Sequence, residues 1–415
     1  MFRIALITIG DEILIGQTVD SNAAWIAWQF TGLGAEVYRH TAIADSRDEL
    51  FEALDRRIPE ADLVVLTGGL GPTEDDITKD VLTEYFDDKL EMNKEILNYL
   101  KEFFDKRGFE FTERIQRQAL LPTKCKPLAN HVGTAPGMLF DIGGKRVISL
   151  PGVPAEMKYI MQNSAIPYVD QLITEGNHKV SLYRTLQTTG IPESKIADLV
   201  GDPSEIPGDV RLAYLPSYRG VKIRIGVKDD TKDNAGKRLD RAEKYLYEKA
   251  GKYIYTKGGT DLTDAVGKLL IEQDKTLAVA ESCTAGMLGA AITETPGSSG
   301  YFTGGAITYS NEAKMHIMGV QEHTLIDYGA VSEQTAMEMA EGIRKRFFTD
   351  FGIGITGIAG PGGGTEEKPV GTVWIGLSRE GKTFAKKYNF GNDRAVNRER
   401  SVGMALTMLL NELRG

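Results

Sequence analysis

The chain has 415 residues, 41% of them hydrophobic and 26% charged, with a formal net charge of −9. That is the make-up of a globular protein with apolar material for several cores, and the length predicts about two to four domains. The acidic balance argues against direct nucleic-acid binding, since proteins that grip backbone phosphates carry a basic surplus; small anionic substrates need only a few Arg and Lys in a pocket.

Ile4–Ile9 is a continuous apolar run ending at Gly10, as in a strand buried on both faces. A helix is predicted from about Asn22 to Phe30, a strand over Glu36–Ala42, a helix over Arg47–Arg57 and a strand over Asp62–Leu66. The loop Thr67–Asp76 leads to another helix, and the strand Lys145–Leu150 stops at Pro151-Gly152. Strands alternating with helices predict a three-layer α/β domain with a mostly parallel sheet, residues 1–172.

Residues 173–256 read as a small α+β middle domain. Its elements are a strand Ser181–Thr189, a helix Glu193–Val200, strands Val210–Leu215 and Val221–Val227, and a charged helix Asp233–Ala250. It carries no catalytic constellation. Spacing or dimer contact is its expected role, and a homodimer is expected because so small a module rarely buries enough surface alone.

The turn cluster Lys257-Gly258-Gly259-Thr260 opens a C-terminal α/β domain, residues 257–415. Helices are predicted at Leu262–Glu272, after Cys283, at Glu333–Phe347 and from about Ala395 to Leu410. Strands are predicted at Thr276–Ala280, Gly305–Tyr309, Phe351–Ile355, Thr372–Leu377 and Thr383–Tyr388.

Cys125 and Cys283 make neither a disulfide framework nor a metal-ligand spacing, and the five histidines are scattered. Met1 to Ile9 shows no signal-peptide pattern, and no apolar run nears the roughly 18–20 residues of a membrane helix. A cytoplasmic protein without membrane contact is expected.

Two N-terminal segments follow the ends of apolar strands, where open α/β sheets bind ligands. One is Thr8-Ile9-Gly10-Asp11-Glu12-Ile13-Leu14-Ile15-Gly16 with Asp20-Ser21-Asn22; the other runs from Thr67 to Thr78. Gly68, Gly69 and Gly71 suit a phosphate cradle. Asp75 and Asp76, with Asp11 or Glu12, could hold a hard divalent ion such as Mg. Adjacent carboxylates at a helix start also simply match its dipole.

Three C-terminal segments concentrate candidate nucleophile, base and anion-binding features. In Ala278-Val279-Ala280-Glu281-Ser282-Cys283-Thr284-Ala285-Gly286 a strand runs into a helix, setting a hydroxyl beside unsatisfied N–H groups that can bind an oxyanion. Ser282 could also merely cap that helix, and Cys283 is a rival nucleophile without an evident His partner. In Thr308-Tyr309-Ser310-Asn311-Glu312-Ala313-Lys314, Ser310 can cap a helix and place Lys314 in its first turn. There the amine pKa falls, the more so if buried, and the Lys can serve as a general base; a solvated surface Lys is the plainer alternative. In Ile355-Thr356-Gly357-Ile358-Ala359-Gly360-Pro361-Gly362-Gly363-Gly364 a buried strand opens into a Gly-rich anion loop. Arg394 and Arg398 share a face at the start of the last helix, where an Arg could clamp a phosphate.

Ala-Glu-Ser-Cys-Thr, Tyr-Ser-Asn-Glu-Ala-Lys and Gly-Ile-Ala-Gly-Pro-Gly-Gly, in that order, resemble the C-terminal domain of the CinA family (competence/damage-inducible protein A). That domain is similar to the nicotinamide-nucleotide amidase. The family usually has Gly where this chain has Ala285. The resemblance implies hydrolysis of nicotinamide mononucleotide to nicotinate mononucleotide and ammonia, without a cofactor. Ser282 is then the nucleophile and Lys314 the base, with Tyr309 nearby. Thr284, Thr356, Gly357, Gly360, Gly362 and Arg398 are expected around the substrate.

The two N-terminal segments, with Asn130 to Gly137 and Leu150-Pro151-Gly152-Val153-Pro154-Ala155-Glu156-Met157, resemble the N-terminal domain of the same family. That domain is similar to the molybdopterin-binding fold and is associated with metal-dependent hydrolysis of ADP-ribose. The implied roles put Gly68, Gly69 and Gly71 around a diphosphate, with Asp75 or Asp76 on the metal. The resemblance also supports the homodimer. The alternatives are a non-catalytic binding or scaffold protein of competence or DNA-damage response, and a molybdopterin binder.

Overall fold

The computed structural model describes residues 1–73, 76–176 and 178–415. Contacts divide the chain into two units, Met1–Tyr183 with Gly226–Asp240, and Arg184–Ile225 with Arg241–Gly415. No helix among the described residues is long and apolar enough to cross a membrane.

The N-terminal sheet has six strands in the order Glu36–Ile43, Arg3–Ile9, Leu63–Thr67, Lys145–Leu150, Gly137–Ile142, Lys126–Leu128. The first four run parallel, and Gly137–Ile142 runs against them, pairing antiparallel with both its neighbours, so the expected mostly parallel sheet is interrupted by one antiparallel strand. Arg3–Ile9 and Leu63–Thr67 are apolar because helices cover both their faces. The register pairs Thr8 with Thr67 and Thr67 with Leu150. Three strand ends therefore open at one edge of the sheet. The chain leaves Arg3–Ile9 toward one side and Leu63–Thr67 lies on the other, which leaves a crevice at the reversal.

The middle sheet has four strands, Arg211–Ser217, Gly220–Asp229, Val180–Thr188 and Ile254–Lys257 in that order. Helix Glu193–Val200 has the predicted bounds, and the charged helix runs Lys232–Ala250. Ile254–Lys257, which pairs antiparallel with Val180–Thr188, was not expected from sequence. It is a four-residue run with one buried side chain, too short to show a period.

The C-terminal sheet has the order Phe302–Ile307, Leu277–Glu281, Phe351–Gly357, Thr372–Arg379, Lys382–Asn389. The first three strands are parallel, and Thr372–Arg379 runs against them, pairing antiparallel with both its neighbours. Leu277 and Val279 face a core shared with helices Leu262–Glu272 and Arg394–Arg414. Ala278 and Ala280 face the other side, beneath helix Glu333–Phe347.

That second face is built of small residues. A Cβ at Gly376 would lie 2.2 Å from the Ala336 carbonyl oxygen, and one at Gly354 2.6 Å from the same atom. The helix therefore rests almost directly on the sheet and fixes the strands that carry the candidate site. Gly376→Ala should force helix and sheet apart and lower stability by about 1–3 kcal/mol. A fall in the denaturant midpoint checks this, and an unchanged midpoint contradicts the close approach.

Candidate active site

Ser282 follows the buried strand Leu277–Glu281 at the carboxyl edge of the C-terminal sheet. Its amide donates to the Ile355 carbonyl at 2.9 Å, and the Thr308 amide donates to the Glu281 carbonyl at 2.8 Å. The ends of three parallel strands are thus tied together around one hydroxyl.

Helix Asn311–Met318 is capped by Ser310, whose side chain accepts from the Ala313 amide, as expected. The cap turns Lys314 inward. Lys314 is 2% exposed, so the solvated alternative does not hold. Its Nζ lies 3.0 Å from Ser282 Oγ, 3.0 Å from the Thr308 carbonyl oxygen and 3.1 Å from that of Tyr309. Burial pushes its pKa below the usual 10.5. A neutral amine fits this cage: two N–H bonds point to the two carbonyls, and the lone pair is left for the Ser282 hydroxyl proton.

Ser282 does not cap a helix. Helix Met287–Thr293 begins five residues later, with Gly286 at its N-cap. The expected use of that helix's free N–H groups for an oxyanion also fails. The amides of Gly286, Leu288 and Gly289 donate to the Glu281 carboxylate at 3.1, 3.0 and 2.8 Å. Glu281 is buried and was not singled out from sequence. Its signal was a carboxylate ending an otherwise apolar strand. The amides of Cys283 and Thr284 have no oxygen acceptor among the described residues, which leaves them as the donors beside Ser282. The Cys283 thiol is pushed up to about 11, chiefly by burial, so it stays protonated near neutrality and loses its claim as nucleophile.

A cavity of about 280 Å³ opens on this group. Ser282, Tyr309, Lys314, Thr356, Gly357, Gly360, Gly362 and Arg394 all line it. Tyr309 contributes its carbonyl to Lys314, and the residue, 60% exposed, lines the cavity wall. The Thr356 hydroxyl donates to the Ala330 carbonyl at 2.6 Å.

Two expected substrate contacts do not line the cavity. Arg398 donates from Nη2 to the Thr284 carbonyl at 2.8 Å and so braces the nucleophile loop from behind. The Thr284 side chain is buried with no hydrogen-bond partner among the described residues. Arg394, one turn before Arg398, is the cation at the cavity, with Nη1 donating to the Gly360 carbonyl at 2.9 Å.

In the N-terminal domain a cavity of about 440 Å³ lies at the crevice of the parallel strands, lined by Glu12, Gly68, Gly69, Gly71 and Asp76 among others. Gly68 and Gly69 take φ of +112° and +66°, the region that disfavours a side chain. The amides of Gly69 and Leu70 have no acceptor among the described residues, so the expected anion cradle has two donors to offer. Asp76 accepts from the Gly71 amide at 2.7 Å, the Thr73 amide at 2.9 Å and the Thr73 hydroxyl. It holds the loop in shape, and that engages both its oxygens. Asp75 lies outside the described residues. Among the described residues no three His, Cys, Asp or Glu side chains gather as a metal site.

Residues 259–413 match the family model for the CinA C-terminal domain, 5–171 the model for a probable molybdopterin binding domain, and 183–256 the model for the damage-inducible protein CinA KH domain. The chain is 40% identical over 403 residues to a CinA-like protein of Salinibacter ruber, with 97% of each chain covered. It is 39% identical over 418 residues to a CinA-like protein of Cytophaga hutchinsonii, covering 99% of this chain and 96% of that one. Among solved structures, a CinA protein with unknown function from Thermoplasma acidophilum is 38% identical; the match covers 40% of this chain and 97% of that chain, with a TM-score of 0.37.

Ala285, in the loop between Ser282 and the helix, has φ +49°. A Cβ is strained in that left-handed region, which is the physical reason glycine suits the position. Ala285→Gly should relieve that strain and, after the added entropy of the unfolded chain, stabilise the protein by about 0.5–1 kcal/mol. Thermal unfolding checks this; a lower Tm contradicts the assigned conformation.

Proposed function

The chain belongs to the CinA family, and we propose that its C-terminal domain is a serine–lysine amidase that converts nicotinamide mononucleotide to nicotinate mononucleotide and ammonia. The observation that carries this reading is the buried Lys314 Nζ, 3.0 Å from Ser282 Oγ and held by two carbonyls. Lys314 takes the hydroxyl proton as Oγ attacks the carboxamide carbon. The developing oxyanion is met by the amides of Cys283 and Thr284, the first being the residue after the nucleophile. Lys314 then returns the proton to the leaving nitrogen, and ammonia departs from a seryl ester. Water attacks the ester, Lys314 accepts its proton, and the carboxylate and the Ser282 hydroxyl are released. No step needs a metal or an organic cofactor. The Gly357–Gly363 turn and Arg394 supply the anion-binding side of the cavity.

Ser282→Ala should lower ammonia release from nicotinamide mononucleotide by about three orders of magnitude or more, while Cys283→Ala keeps most of it. Lys314→Ala should match Ser282→Ala, with the double variant little worse than either. Arg394→Ala should raise KM more than it lowers kcat. Only the neutral amine accepts a proton, so the rate should rise with pH through an apparent pKa below 10.5. Normal turnover by Ser282→Ala would refute the site, whereas no ammonia release by the wild-type chain would favour a binding or scaffold protein.

A second reading rests on the Gly69 and Leu70 amides in the N-terminal cavity. They suit a diphosphate, and we propose that this domain hydrolyses ADP-ribose. A divalent ion would then arrive with the diphosphate, since one or two carboxylates and phosphate oxygens suffice for Mg. Hydrolysis by the full chain should stop in chelator and be weakened by Asp76→Asn, which loosens the loop. Full activity in chelator would remove the ion from this reading.

A further inference from the structure

The segment Asn130 to Gly137 is not used by either reading above, yet it is built with care. Asn130 is buried; its Oδ1 accepts from the Val132 and Gly133 amides at 3.2 and 3.0 Å, and its Nδ2 donates to the Ala135 carbonyl at 2.9 Å. Glu156 accepts from the Ala135 amide at 3.3 Å and from Asn130 Nδ2. The Tyr99 hydroxyl, on helix Lys94–Asp105, donates to the Gly133 carbonyl at 3.1 Å. A surface loop braced by six hydrogen bonds is held for a purpose beyond connecting two strands.

What it shapes is a second cavity, of about 300 Å³, lined by Ile96, Tyr99, Pro127, His131, Thr134 and Pro136 among others. Thr134 lines both this cavity and the one containing Gly69 and Leu70. Its apolar and aromatic wall stands beside the polar Asn93, Glu95, Asn130 and Thr134, and among the described residues no Lys or Arg lines it. The His131 ring stands edge-on to Tyr99, with centroids 5.5 Å apart and planes at 77°, and edge-on to Tyr159 at 5.8 Å and 81°. Such crossed rings leave ring faces for a flat, uncharged partner. A slot of this kind beside an anion cradle has the two halves that a nucleotide needs: donors for the phosphates and an aromatic wall for the base.

We infer that the Tyr99–His131 slot is a nucleobase subsite, filled by the base of a nucleoside diphosphate whose phosphates lie on the Gly69–Leu70 amides. The inference rests on the diphosphate reading of the N-terminal cavity. Stacking accepts any base face, so the slot adds affinity for nucleotides over bare phosphates more than it selects one base.

Binding of ADP and of inorganic pyrophosphate to the full chain, by calorimetry with Mg present, tests it. His131→Ala removes one aromatic wall, and Ala129→Phe obstructs the slot from an exposed position that lines it. Both should weaken ADP binding about tenfold or more and leave pyrophosphate binding within about twofold, with Tm unchanged. Pyrophosphate should compete with ADP on the wild-type chain. Variants that bind ADP as tightly as wild type while pyrophosphate still competes would overturn the subsite and leave the diphosphate reading standing. Failure of pyrophosphate to compete on the wild-type chain would overturn the diphosphate reading and the subsite with it.

Discussion

The C-terminal site depends on one desolvated amine. Taking an ammonium out of water costs several kcal/mol, and no carboxylate lies within ion-pair distance of Lys314 among the described residues to offset it. What surrounds Nζ instead is two carbonyls and a serine hydroxyl. That environment favours the uncharged amine, and an uncharged amine against a hydroxyl is a general base beside its nucleophile. The rest of the domain holds this arrangement in place. Strand register ties Ser282 to Ile355 and Thr308 to Glu281, the Ser310 cap turns Lys314 inward, and the glycine-bearing face lets helix Glu333–Phe347 fix the strands from below.

A second buried ionisable side chain is handled differently. The Glu281 carboxylate accepts three amides from the start of the next helix and so closes the loop that presents Ser282. Arg398 grips the same loop through the Thr284 carbonyl. The nucleophile is therefore held on both sides by groups that do not reach the cavity. In the N-terminal domain Asp76 likewise accepts amides of the Gly71–Thr73 turn, but there the carboxylate itself lines the cavity. In both domains the cavity sits where the chain leaves neighbouring parallel strands in opposite directions, the ordinary ligand position of an open α/β sheet.

Much of this was legible in the sequence, because long apolar strands and capped helices have strong periods. Helix Glu193–Val200 and strand Lys145–Leu150 have their predicted bounds, and Ser282 and Lys314 meet as their motifs implied. The failures have a common physical origin. Arg394 and Arg398 lie four apart, so spacing puts them on one face, but it cannot say which of two successive turns meets the cavity. Asp76 looks like a site carboxylate in one dimension and Glu281 drew no notice; only the fold shows that backbone amides surround them. The helix after Ser282 was placed too early because a turn of small residues carries no period. The hairpin joining Gly137–Ile142 to Lys145–Leu150 did have a signal, the pair Gly143-Gly144 with positive φ at both positions.

The central claim is that Lys314 is neutral when it meets Ser282. Nuclear magnetic resonance of the Lys314 side chain, labelled at Cε and Nζ and followed with pH in the full chain, measures its protonation directly. The amine should lose its proton well below the usual 10.5, and Ser282→Ala, which removes a partner without changing the burial, should leave it low. A Lys314 that titrates at or above 10.5 would contradict the account, because a permanently charged ammonium has no lone pair with which to take the serine proton.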